Sequence, residues 1–143
     1  MSEDEFATGP LDIPTLEILG QRAETHPLVE RWAFKPDRLS PRRLEIRIDT
    51  RHFPAAVESV KLDVRWYEGG NYTFHYRESW TEADWQCRWD RHPKPDGPRC
   101  HFHPPPDASG AIEPSEFGQT HPLDVFFSVL DWVRDRIKQL HDT

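Results

Sequence analysis

A chain of 143 residues has the size of one domain, with room for a single core and too little for two. Its formal net charge of -7 excludes a broad electrostatic grip on a nucleic-acid backbone and leaves only local basic patches for that purpose. No run approaches the roughly 20 apolar residues of a membrane-spanning helix, the start Met1-Ser2-Glu3-Asp4-Glu5 is acidic where a secretory leader is basic and then apolar, and two cysteines cannot make a disulfide framework, so a cytoplasmic protein with reduced thiols is expected.

With 6 Trp, 8 Phe and 3 Tyr, aromatic rings must supply much of the core. Residues 1–10 are polar and lack a period. The spacing of Ile13, Leu16, Ile18 and Leu19 predicts a short helix, stopped by Gly20 and then by Pro27. Residues 1–30 read as an N-terminal extension carrying that helix, and residues 31–143 as a single α+β domain. The stretch from Arg31 to Pro41 holds Pro36 and Pro41 among charges and reads as loop, anchored by Trp32 and Phe34.

The period then changes to two. Leu44, Ile46 and Ile48 alternate with polar residues, as do Val60, Leu62, Val64 and Trp66, and then Tyr72, Phe74 and Tyr76 beyond the turn Glu68-Gly69-Gly70-Asn71, so Val60 to Trp80 predicts a β-hairpin. In a further strand Trp85, Cys87 and Trp89 share one face and Gln86, Arg88 and Asp90 the other. From His92 to Pro106 repeated prolines predict loop, with at most a short edge strand at Arg99 to His103. His121-Pro122 opens a C-terminal helix whose Phe126, Val129, Leu130, Val133, Ile137 and Leu140 recur at helical spacing. The expected architecture is an antiparallel sheet of about four to five strands packed against that helix, with a short N-terminal helix.

Chemistry is expected where Arg88, Asp90, His101 and His103 converge. On extended backbone the two histidines project to one side, as do Arg88 and Asp90, so neighbouring strands would gather two imidazoles, a guanidinium and a carboxylate. Histidines can take and return protons, arginine can hold a phosphate through two hydrogen bonds, and aspartate can orient a histidine, a set suited to phosphodiester cleavage in RNA. Metal binding by His101, His103, Asp90 and Cys100 or Cys87 is a second reading, although the spacing matches no standard zinc template, so no metal or cofactor is assigned. The same residues could equally form a solvated histidine pair and a surface salt bridge. His75 and Arg77 either extend the site across the sheet or belong to a solvated face. The acidic balance opposes a phosphate target unless Arg77, Arg88, Arg91 and Arg99 gather on one face.

Aromatic strands, then Arg88-Trp89-Asp90, then His101-Phe102-His103, then a helix carrying Phe126 and Phe127 resemble the TumE-like toxins of prokaryotic toxin-antitoxin pairs. The resemblance spans roughly Leu44 to Ile137 and departs from the family pattern in Arg91 after Asp90 and in the proline-rich loop. It implies a toxin neutralised by a helix-turn-helix antitoxin and acting on a target inside its own cell, with Arg88, Asp90, His101 and His103 as motif residues, while RNA as that target is read from the residues alone. It leaves a homodimer open and gives no membrane role. The rival readings are a non-catalytic protein-interaction module and a small metal-binding protein.

Overall fold

The computed structural model describes residues 9–92, 99–118 and 120–142. Its elements are α1 (Ile13–Ala23), β1 (Val29–Lys35), β2 (Arg43–Ile48), β3 (Val57–Trp66), β4 (Tyr72–Trp80), β5 (Asp84–Arg91), β6 (Cys100–His103), β7 (Glu113–Pro114) and α2 (Pro122–His141). The seven strands form one sheet in which each pairs antiparallel with the next in sequence, β1 through β7, a meander without crossovers. The expectation of four to five strands is therefore corrected to seven.

The two additional strands arise where proline content masked them. β1 takes up the first part of the segment expected as loop, Arg31 to Lys35, because Pro36 and Pro41 fall in the connection to β2 and leave every ladder position of Val29–Lys35 proline-free. At the other margin β7 pairs with β6, His101 opposite Pro114 and Phe102 opposite Glu113, so β6 is covered rather than an edge. Pro114 sits on the outermost strand, where a missing N–H breaks no ladder. The prolines at 93, 95 and 98 lie outside the described residues.

Helix α1 begins at Asp12, whose carboxylate accepts from the Thr15 N–H at 3.1 Å and the Thr15 hydroxyl at 2.7 Å. It does not stop at Gly20 but continues to Ala23. The glycine is there for space: a Cβ would lie 2.5 Å from Cε3 of Trp32 on β1. Helix α2 is capped by His121, whose Nδ1 accepts from the Leu123 N–H at 3.2 Å, with Pro122 at its first turn as its sequence predicts.

Both helices lie on one face of the sheet. Leu16, Leu19 and Ala23 of α1 and Val125, Phe126, Val129, Leu130 and Val133 of α2 bury against Leu44, Ile46, Leu62, Val64, Phe74 and Cys87 of the strands. Rings carry the packing along β4 to α2: Phe74 stacks on Phe126, with centroids 6.5 Å apart, and Tyr76 meets Trp132 edge-on at 5.3 Å. One charge pair is buried within this face. Glu78, 1% exposed, receives two hydrogen bonds from Arg136 of α2, at 2.8 and 2.9 Å, and others from Tyr76 Oη and Trp80 Nε1. Among the described residues no helix is long and apolar enough to cross a membrane.

Candidate functional site

The face turned away from the helices carries every other residue of β2 to β6, and strand register arranges those residues in rows. One row runs Glu45, Asp63, His75, Arg88, His103; the next runs Arg65, Thr73, Asp90, His101; a third runs Arg47, Lys61, Arg77, Gln86. The four residues expected to converge do so: Arg88 lies opposite His103, and Asp90 opposite His101.

Asp90 is the hub of that group. Its Oδ2 accepts from His103 Nε2 at 2.7 Å and from Arg88 Nε at 3.0 Å. Arg88 Nη2 stands 3.2 and 3.4 Å from the two nitrogens of the His103 ring. Burial is the largest influence on His103 and holds its pKa below the usual imidazole value, with Asp90 opposing that shift and the Arg88 charge adding to it. His103 is therefore neutral at pH 7, its Nε2–H donating to Asp90.

The second histidine has a different environment. His101 is 2% exposed, its ring meets His92 edge-on at 4.7 Å, and neither of its nitrogens finds a hydrogen-bond partner; Asp90 Oδ1 is likewise buried without one.

A groove of about 480 Å³ opens on the same face, lined by Arg43, Lys61, Asp63, Arg65, Thr73, His75, Arg77, Arg88, Asp90 and His92. Five cations thus face two carboxylates in a protein whose overall balance is acidic. Arg43 and Lys61 share Asp63, at 3.3 and 3.9 Å, while among the described residues Arg65 and Arg77 make no ion pair. Of the basic residues expected to gather here, Arg77 and Arg88 do. Arg91 falls on the other side of its strand, its guanidinium donating to the Gly70 carbonyl at 2.9 Å, and Arg99 does not line the groove. Their places are taken by Arg43, Lys61 and Arg65, whose polar alternation was legible but whose convergence depends on register.

His75, whose strand position more readily suits a solvated face, lies within the groove, half-buried, with Nε2 2.6 Å from Gln86 Oε1 and Arg77 Nη2 3.2 Å from Nδ1. Burial depresses its pKa too. His101 and His103 do not line the open groove; they stand behind Arg88 and Asp90 at its β6 end.

The cysteines belong to the opposite face. Cys87 is fully buried there, burial pushing its thiol pKa well up, and Cys100 lies 3.9 Å from the Tyr72 hydroxyl. Among the described residues no three His, Cys, Asp or Glu side chains are arranged to hold a metal ion.

A family model described as Toxin TumE matches residues 17–137. The match begins inside α1 and takes in β1, so the shared region starts well before Leu44, as the buried Leu19, Ala23, Leu28 and Phe34 require. No curated protein and no solved structure matches the chain.

Proposed function

The chain belongs to the TumE toxin family, and from that premise we propose that it is a toxin acting inside the cell on a phosphate-bearing target, RNA in the first instance, and neutralised by an antitoxin of the helix-turn-helix kind. The observation that carries the target is the groove: five cations, Arg88 among them, converge on one face of an acidic protein, and Arg88 and Asp90 at its β6 end connect it to His103.

In this reading Arg88 holds a phosphate by its free guanidinium edge, and Asp90 fixes His103 as proton acceptor. The attacking hydroxyl gives its proton to His103 and its oxygen bonds to phosphorus. The bond to the leaving oxygen breaks as that oxygen takes back the proton from the His103 imidazolium, beside which His101 stands on the same strand. His103 ends neutral as it began. Groove cations offset the charge that spreads over the phosphate oxygens.

The test is growth arrest on induced expression, with soluble protein verified in each strain and RNA integrity followed alongside. Wild type should arrest growth and degrade RNA, whereas Arg88→Ala and the double variant His101→Ala, His103→Ala should do neither. Arrest that persists in the double variant rules out the histidines as the chemical centre. Arrest with intact RNA rules out RNA as the target.

A further inference from the structure

On the helix side of the sheet, at the margin formed by β7, the side chains of Trp89, Phe102, Phe117 and Trp132 enclose a small pocket of about 150 Å³ with Glu113 and Glu116 at its rim. Trp89 is its floor, stacked on Phe117 at 5.6 Å, tilted against Phe102 at 5.3 Å and met edge-on by Trp132 at 4.9 Å. Both rim glutamates are exposed, and no cation is among the lining residues.

The same chemistry occurs beside it with its cation in place. Trp132 also stacks on Trp85, at 6.1 Å, and over Trp85 lies the guanidinium of Arg136, 3.6 Å from the ring centroid and doubly bonded to the Glu78 carboxylate. Aromatic faces attract a cation, and a planar guanidinium stacks on them while its edge pairs with a carboxylate. The pocket over Trp89 offers the same two kinds of group, aromatic rings in its lining and two carboxylates at its rim, in a volume of about 150 Å³ that suits one side chain and not a helix or strand.

We infer that this pocket is the receptor for an arginine side chain presented by a protein partner, which on the toxin reading is the antitoxin. It lies on the face opposite the basic groove, so partner and phosphate-bearing target meet different surfaces. An arginine in a chain is favoured over free arginine because the pocket, about 150 Å³, takes the side chain alone, and only a chain adds contacts around the rim where the free molecule leaves its α-ammonium and α-carboxylate in water.

The experiment uses the full chain, ¹⁵N-labelled, with its indole N–H signals assigned by single Trp→Phe variants and the capped tripeptide acetyl-Gly-Arg-Gly-amide as probe. The Trp89 and Trp132 signals should shift saturably, with a dissociation constant on the order of millimolar as suits one side chain, while Trp32 and Trp80 stay fixed. The double variant Glu113→Gln, Glu116→Gln, at exposed positions, should bind about fivefold more weakly with an otherwise unchanged spectrum. Absence of a selective shift overturns the site, an equal response to the lysine tripeptide overturns the arginine assignment, and equal binding of free arginine overturns a protein partner. Toxicity is not read in this titration, so its failure is distinguishable from failure of the toxin reading.

Discussion

At the scale of single residues, Asp90 decides how the site is held. Its Oδ2 serves two donors at once, so Asp90→Asn keeps the shape while removing the charge that Arg88 and His103 share. The expected cost is about 1–2 kcal/mol, because Asp90 is buried but Arg88 is one-third exposed and partly solvated. A urea unfolding midpoint measures it, and an unchanged midpoint would mean that the triad contributes no stability. Protonation is the second handle. Burial is the largest cause holding His26, His75 and His103 below the ordinary imidazole value. The folded protein keeps these rings neutral while the unfolded chain takes up protons near pH 6.5. Stability is therefore complete above about pH 6.5 and is lost as pH falls from there through the folded pKa values. Melting temperatures between pH 7.5 and pH 5 should fall, less steeply in His103→Gln, and a flat profile would contradict the neutral-ring assignment.

At the scale of elements, the joint between α1 and β1 depends on Gly20. Helix propensity alone favours Gly20→Ala by about 1 kcal/mol. The added methyl would nevertheless meet the Trp32 ring at 2.5–2.7 Å, and overpacking of that kind costs about 1–3 kcal/mol. The variant should be destabilised in thermal or urea unfolding; stabilisation would show that α1 and β1 do not pack as described. This glycine also explains why the end of α1 was misplaced. A glycine past four apolar helix positions reads as a stop, and only a neighbour 12 residues later supplies the other reason for it. The strands between Leu44 and Trp89 were legible because their apolar residues alternate over long runs with a glycine turn between two of them. β1 was hidden by flanking prolines that belong to the next connection, and β7 by its length of two residues.

At the scale of the whole molecule, charge is distributed in a way that the total of -7 conceals. The groove concentrates cations on the face away from the helices, and binding there should respond to salt. For a single-stranded RNA oligonucleotide, about 0.7 counterion is released per phosphate neutralised, so two to five engaged cations predict a slope of roughly -1.4 to -3.5 in log K against log salt. The double variant Arg65→Ala, Arg77→Ala removes the two groove arginines without ion pairs and should reduce the steepness by about 1.4. Fluorescence anisotropy across a salt series measures both, and a slope near zero in the wild type would remove the groove from any polyanion contact.

Alternation in the chain was enough to put Arg88 with Asp90 and His101 with His103, because side-chain parity on a strand is local and needs no partner. The same holds for the apolar stripe of α2 and for the aromatic face of Trp85, Cys87 and Trp89. What parity cannot supply is register. Only the pairing of four strands sets Arg43, Lys61 and Arg65 beside Arg77 and Arg88, turns His75 from a surface position into a groove wall, and sends Arg91 to the Gly70 carbonyl instead. A one-residue slip in any of those pairings would reverse every such placement, so which charges share a surface was decided by the tertiary fold.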